Sequence, residues 1–291
     1  MGDNSRAAVT AALFVVQLAA TALNQLTGAP GIGAAFAVTL LQPPGAFFGL
    51  IWATLYSWLL AFVVWQWLAR ASPVARRMAW FPSIAFATLA VWGAVASGVH
   101  DTSRLVVELP LLLLLFVAAW ALRSAGVAAC GSAHELLSPR ELLLGAAPLS
   151  ALCGWLTVAA ALLLADIALL LGASWLAATS PSVAGAACVL LLLGCALASL
   201  QAGPFQASPW SAAPFLWGLF GAGVAAGGRA GGGHALLEAA AALACAAVVG
   251  ATVACTTAPP RWGWPSRWAL ALRAACVPAG RGDEAAPLLG V

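Results

Sequence analysis

Charged residues are scarce in this sequence. Only 7% of the 291 residues are Asp, Glu, Lys or Arg, whereas 63% are hydrophobic, and the mean hydropathy is +0.99. A soluble domain carries roughly a quarter charged residues, so this chain has too few to cover a water-facing surface. The scarcity excludes a sizeable soluble catalytic or nucleic-acid-binding domain and predicts an integral membrane protein. The net charge of +3 is spread along the chain and predicts no acidic partner.

Metal-binding and disulfide patterns are also absent from the sequence. The seven cysteines are odd in number, most lie inside apolar runs, and none forms a Cys-x-x-Cys pair. Cys130 and His134 lie close together but lack a second ligand pair, so no metal site is expected. Because the titratable groups form no constellation, the sequence predicts neither an enzyme nor a resident cofactor.

Long apolar runs dominate what is present. About 20 apolar residues suffice for one helical crossing of a bilayer, and unbroken runs favour helices over the alternating strands of a barrel. We predict an all-α integral membrane protein with a bundle of about eight transmembrane helices. The predicted spans are residues 7–26, 46–68, 80–99, 105–122, 147–171, 183–200, 210–226 and 235–255. The bundle is assigned to residues 1–257 and a tail rich in arginine and tryptophan to residues 258–291.

The twelve arginines predict the orientation of the bundle, because cytoplasmic segments retain positive charge. With the N-terminus inside, only Arg104 and Arg229 fall on the outer side. An odd number of spans would move the four arginines of the tail to the outer side. Both termini are therefore predicted to be cytoplasmic.

A few polar residues lie inside the predicted spans. Asp166, in the fifth span, either carries protons or orients a ligand, or is a neutral acid bonded near the helix end. The first interpretation makes a proton-coupled transporter or channel an alternative function. Gln17, Thr21 and Asn24 form one stripe on the first span, for which interhelical hydrogen bonding is favoured over a cavity lining. Glu108 follows Arg104 by four residues, which favours a structural pair.

Fourteen tryptophans stand against a single tyrosine. Several tryptophans lie at predicted helix ends, where indoles anchor in the membrane interface. In the second span Phe48, Trp52 and Tyr56 stand four residues apart and share one helix face. This aromatic wall suits a flat, rigid apolar ligand held by stacking, and ordinary aromatic packing is the alternative explanation.

The run PPGAFFGLIWATLY at residues 43–56 resembles the signature PPGWxFGPxWxxLY of the TspO/MBR family, the tryptophan-rich sensory or translocator proteins. Ala46 replaces a tryptophan of that signature and Leu50 replaces a proline. The run GWLTVA at residues 154–159 resembles the Gly-Trp-x-Thr-Val-Ala motif of the longer members of the family. The run WGLFG at residues 217–221 is similar to their later Trp-Ala-x-x-Gly helix. The order and spacing of the three motifs identify an extended relative with more than the five helices of the founding members.

The resemblance implies a membrane protein that binds a tetrapyrrole or a similar flat apolar molecule, or a lipid, for sensing, sequestration or transport. Its motifs and the neighbouring helices assign eight residues to a candidate pocket. These residues are Pro43, Pro44, Phe48, Trp52, Tyr56, Trp92, Trp155 and Asp166. Tyr56 is followed by no nearby basic residue, so the cholesterol-recognition pattern of the animal proteins is not matched.

The expected partners are membrane lipids, a small apolar ligand and, as a further option, a second copy of the chain; no nucleic acid is expected. In the tail, alternating arginines and tryptophans suit an anionic membrane surface. The run EAAPLL at residues 284–289 resembles an acidic dileucine sorting signal, which in a eukaryotic cell would direct the protein to endolysosomal or vacuolar membranes. A plain flexible end is the favoured interpretation of this run.

Overall fold

The computed structural model describes residues 3–26, 45–97, 104–130 and 137–171, together with residues 210, 212–214 and 216–218. The side chains of several helix-end residues, including Phe48 and Asp166, lie outside this description. Within these ranges every regular element is a helix. The elements are α1 (Asp3–Leu26), α2 (Gly45–Leu68), α3 (Pro73–Arg77), α4 (Phe81–Ser97), α5 (Arg104–Cys130), a π-helical segment (Glu141–Ala146) and α6 (Ala147–Leu170).

The first five predicted spans coincide with helices, although the boundaries differ. α1 begins four residues before the predicted start, and α5 continues to Cys130, eight residues past the predicted end. Arg123 therefore lies within a helix and not in a loop, because a charged residue can end the apolar segment without ending the helix. The predicted spans 183–200 and 235–255, most of 210–226 and the tail lie outside the described residues.

Four of the helical segments are long and apolar enough to cross a membrane: Asp3–Leu23, Gly49–Leu68, Val106–Ala129 and Glu141–Leu164. The apolar helix Phe81–Ala96 is shorter. With about 1.5 Å of rise per residue it falls a little short of the roughly 30 Å hydrocarbon core. The sequence and these helices together define an integral membrane protein.

The five long helices contact one another in a cycle. α1 packs along α4, α4 along α5 and α5 along α6, while α2 contacts both α6 and α1. In the apolar window Glu141–Leu164, 89% of the residues are buried, against 22–33% in the windows of the other three long spans. α6 therefore forms most of the best-buried span, and its sequence, which consists mainly of alanine and leucine, suits that position.

The arginine-bearing segments meet at one end of the bundle. Arg6 Nη1 donates to the backbone oxygen of Arg76 at 3.2 Å, which joins α1 to the connection after α2. Arg77 Nη2 donates to the backbone oxygen of Ala129 at 3.3 Å, at the end of α5. The three predicted inner segments within the described residues thus lie together, as the alternating direction of successive helices requires.

Two Ser-Pro sequences begin helices at this end. Ser72 Oγ accepts from Val74 N at 3.2 Å and donates to Glu141 Oε1 at 3.0 Å. Ser138 forms a capping box with Glu141, whose Oε2 accepts from Ser138 N at 3.0 Å and from Ser138 Oγ at 2.8 Å. The Ser72–Glu141 bond therefore joins the N-cap of α3 to the N-terminal turn that leads into α6.

A proline explains how α2 is attached to the π-helical segment. The Ala147 N–H donates to Leu142 O, five residues back, which is the π-helical spacing. At the same spacing, Leu143 O would accept from the N–H of residue 148. Residue 148 is a proline and has no N–H. Trp58 Nε1 donates to Leu143 O at 2.8 Å instead. This bond satisfies a carbonyl that the helix itself leaves free, which is obligatory in hydrocarbon.

We expect Trp58→Phe to lower the free energy of unfolding by about 1–3 kcal/mol, because the Leu143 carbonyl loses its donor. Pro148→Ala supplies a backbone N–H and should recover part of this loss in the double variant. Trp67→Phe makes the same chemical change at an exposed position of α2 and is the control. Thermal unfolding in detergent, followed by circular dichroism, measures the effect. If Trp58→Phe lowers the free energy of unfolding equally with and without Pro148→Ala, Trp58 does not replace the N–H that Pro148 lacks.

Cysteines placed in the two exposed connections at the arginine-bearing end should be labelled from the same side of the membrane. Ala71→Cys and Arg140→Cys, each in a background without native cysteines, provide the two positions. If this side is cytoplasmic, a membrane-impermeant maleimide labels both in intact cells only after permeabilisation. Labelling of one position without permeabilisation, but not of the other, would show that the predicted topology is wrong.

Candidate functional site

Three of the predicted pocket residues come together where α2 meets α6. The rings of Trp52 and Tyr56 stack, with 5.2 Å between their centroids and 25° between their planes. Trp155 meets Trp52 edge to face, with centroids 6.2 Å apart and planes at 90°. Trp155 is 1% exposed, so this aromatic cluster is anchored in the core. Trp52 belongs to the first family-like motif and Trp155 to the second, so the two motifs are in direct contact.

A hydrogen-bond relay joins the aromatic cluster to α1. Thr21 Oγ1 lies 3.0 Å from the Tyr56 hydroxyl and donates to the backbone oxygen of Gln17 at 3.0 Å. Because a threonine hydroxyl has one proton, Tyr56 must donate to Thr21. The Gln17 side chain lies beside the same Tyr56 hydroxyl and is 2% exposed. The polar stripe of the first span thus makes the interhelical bonds that its favoured interpretation predicts, although the Asn24 side chain lies outside the described residues.

The third motif reaches the same region. Gly218, from WGLFG, packs against Val158, from GWLTVA, so closely that a Cβ at Gly218 would lie 2.9 Å from Val158 Cγ1. That distance is too short for any side chain at residue 218 unless the buried valine moves. The first and second motifs are about 100 residues apart and the second and third about 60, yet all three converge on α6.

An apolar cavity of about 200 Å³ lies between α2, α6 and the segment 210–218. Its wall includes three tryptophans from separate positions of the chain, Trp58, Trp210 and Trp217. Trp58 and Trp210 meet edge to face, with centroids 5.3 Å apart. The other lining residues are Leu50, Ile51, Thr54, Leu55, Ala151, Ala213 and Pro214. The first and third motifs both contribute to this wall, through the α2 residues on one side and Trp217 on the other.

Few polar groups are left to face a ligand in this cavity. Thr54 Oγ1 donates to Leu50 O at 2.8 Å, and Trp58 Nε1 donates to Leu143 O, so both donors are already engaged. The Trp210 indole N–H is buried and has no acceptor in the described structure. The wall therefore suits an apolar ligand that carries one hydrogen-bond acceptor.

The described structure does not bring the remaining predicted pocket residues together. Trp92, in α4, is 6% exposed and its indole N–H has no acceptor within the described chain. Pro43 and Pro44 lie outside the described residues, as does the side chain of Phe48. Asp166 lies on α6 about three turns beyond Trp155, and its side chain is likewise outside the description, so the proton-coupled alternative stays a prediction.

Sequence reasoning missed the tryptophans that line the cavity. Trp58 and Trp210 belong to none of the three motifs, and Trp217 stands in the third motif but is not among the eight residues assigned to the candidate pocket. The missed signal is Pro148, which predicts an unsatisfied carbonyl in α6 and hence a donor on a neighbouring helix. Nothing in the sequence indicates that Trp58 supplies that donor, because the two residues are 85 positions apart.

Three other sequence predictions concern the Glu108–Arg104 pair, the cysteines and metal binding. Glu108 is 4% exposed in α5, but the side chain of Arg104 lies outside the described residues, so their pairing stays a prediction. Cys153 is buried, and its thiol donates to Ala119 O at 3.6 Å. Among the residues with described positions, no group of three or more His, Cys, Asp or Glu side chains is arranged to hold a metal ion.

The fold and the site define a helical integral membrane protein with a tryptophan-lined cavity between its helices. The model of the TSPO-like protein family matches residues 6–255 of this sequence, a range that includes all three motifs. The chain therefore belongs to the TSPO-like protein family. No curated protein and no solved structure matches it.

Close packing of the second and third motifs is tested at Gly218. We expect Gly218→Ala to destabilise the protein by about 1–3 kcal/mol, because the added methyl group overlaps Val158. Val158→Ala makes room for that methyl group, so the double variant should be more stable than the sum of the two single changes predicts. Gly49→Ala is the control, since no atom lies within 4 Å of its new Cβ. Additive effects at residues 158 and 218 would contradict the contact.

Proposed function

We propose that this protein binds a flat apolar ligand in the cavity between α2, α6 and the segment 210–218, for sensing, sequestration or transport in the membrane. The observation that carries the proposal is the arrangement of Trp58, Trp210 and Trp217 around one apolar space. Indole rings offer flat, polarisable faces and edges that stack on planar molecules. Membership of the TSPO-like family supports the same function, since proteins of this type are in general binding or transport proteins and not enzymes.

The size of the cavity restricts how the ligand is held. At about 200 Å³, it is smaller than the roughly 300–1,000 Å³ of sites that enclose drug-sized molecules. A tetrapyrrole therefore inserts one edge of its ring system between the tryptophans and leaves the rest outside the cavity. A smaller planar aromatic molecule would enter completely.

The aromatic cluster supports this wall from behind. Ile51 and Leu55 line the cavity, whereas Trp52 and Tyr56 occupy the adjacent face of α2 and contact Trp155 and Thr21. Because these contacts fix the rotation of α2 about its own axis, they also fix which residues face the ligand. Trp52 and Tyr56 thus act by positioning the wall, and Trp217 acts by touching the ligand.

Titration with protoporphyrin IX tests the proposal, with the Soret absorbance and the quenching of tryptophan emission as readouts. Trp217→Ala should weaken binding about tenfold or more, because a stacking partner worth roughly 1.5 kcal/mol is removed. Trp52→Ala should weaken binding less, through its effect on the wall. Trp67→Ala, at an exposed position of α2 outside the cavity wall, should leave the affinity unchanged.

The possible results test two things independently: whether this cavity is the binding site, and whether the ligand is a tetrapyrrole. Equal affinity of Trp217→Ala and the unmodified protein would reject this cavity as the site. Binding of a small planar aromatic molecule, but not of protoporphyrin IX, would keep the cavity and reject the tetrapyrrole class. The absorbance spectrum of the purified protein adds an independent measurement, since a co-purifying pigment identifies the ligand class directly.

A further inference from the structure

Five arginines from separate chain segments meet at one end of the bundle. They are Arg6 in α1, Arg70, Arg76 and Arg77 in and around the connection after α2, and Arg140 before the π-helical segment. Arg6 is joined to this connection through Arg76 O, and Ser72 is joined to Glu141, next to Arg140. The grouping is therefore a product of the tertiary structure.

The carboxylates described at this end are already engaged. Asp3 forms an ion pair with Arg6. Glu141 accepts hydrogen bonds from Ser138 and Ser72. By contrast, Arg70, Arg76 and Arg140 are exposed and have no ion pair within the described chain. Among the described residues, no carboxylate therefore neutralises the positive charge of these three exposed guanidinium groups.

An exposed apolar strip leads from these arginines into the membrane along α2. Leu60, Val64, Trp67 and Leu68 follow helical spacing and are 54%, 50%, 43% and 76% exposed. Arg70 follows the strip by two residues, and its Nη1 donates to Trp67 O at 3.1 Å. A soluble anion would contact only the guanidinium groups, whereas a phospholipid would contact both them and the strip.

We propose that Arg70 and Arg76 bind the phosphate of an anionic phospholipid, whose acyl chain lies along the Leu60–Leu68 face of α2. Guanidinium groups bind phosphate through paired, charge-assisted hydrogen bonds. The cavity beneath Arg70, lined by Arg6 and Gln66 among others, measures only about 10 Å³. That volume holds at most about one water molecule, so the headgroup lies on the exposed guanidinium groups and does not enter the bundle.

Native mass spectrometry of the detergent-solubilised protein tests this proposal. The probes are phosphatidylglycerol and phosphatidylcholine with identical acyl chains. The unmodified protein should retain phosphatidylglycerol in preference to phosphatidylcholine. Arg70→Gln and Arg76→Gln should each weaken its binding about fivefold, and the double variant roughly 25-fold. Arg70→Lys with Arg76→Lys should retain most of the affinity, because the charges remain.

Two controls keep the outcome decisive. Arg229→Gln removes the same charge from a position that the arginine distribution assigns to the opposite side of the membrane, and it should not change lipid retention. Thermal unfolding of each variant without added lipid should match that of the unmodified protein, since both side chains are exposed. If the double variant unfolds early, Arg70→Gln alone supplies the comparison.

Three results would overturn the proposal. The first is equal retention of the two lipids by the unmodified protein. The second is unchanged retention of phosphatidylglycerol in the double variant. The third is complete displacement of the lipid by millimolar inorganic phosphate, which would identify a site for a free anion. None of these readouts depends on the apolar cavity, so the two proposals fail independently.

Discussion

The docking of α2 against α6 and the π-helical segment is the interaction on which the aromatic cluster and the cavity depend. Two contacts at different positions along α2 join these elements: Trp52 packs edge to face on Trp155, and Trp58 Nε1 donates to Leu143 O. Gly145 lies so close to the Trp65 ring that a Cβ there would approach its Cη2 to 2.9 Å. Ring packing, a hydrogen bond to a free carbonyl and a close approach at glycine thus act along one interface. Together they fix the rotation of α2 about its own axis and its position along that axis.

This interface explains why the cavity is apolar. In hydrocarbon each polar group needs a partner inside the protein, and these groups near the cavity find theirs in α2, the π-helical segment and α1. The Thr54 hydroxyl bonds within α2, the Trp58 indole bonds to the π-helical segment, and the Tyr56 hydroxyl bonds to α1. What faces the open space is mainly hydrocarbon and indole surface. A ligand that enters it gains stacking and apolar contact but finds little polar recognition, which favours flat, hydrophobic molecules.

Positively charged side chains lie away from the cavity, at one end of the helices. Within the part of the chain that the structure describes, the exposed arginines lie at the end where α1 begins and α2 ends, together with the capping serines and the engaged carboxylates. Such a division suits a protein that handles apolar molecules within the bilayer and contacts phosphate groups at its surface. The helices capped by Ser72 and Ser138 carry arginines at this end of the bundle, since Arg76 and Arg77 lie in the last turn of α3 and Arg140 directly precedes the π-helical segment.

The sequence by itself determined the membrane class, the approximate positions of the first five helices and the family, because these depend on composition, run length and local motifs. It also placed Trp52 and Tyr56 on one helix face, since spacing alone decides that. Only the tertiary structure decided that Trp155 completes this cluster, that Gly218 meets Val158 and that Trp58 satisfies the carbonyl left free by Pro148. These contacts join residues far apart in the chain. Hydrophobic periodicity tells which face of a helix is buried, but it does not tell which helix covers that face.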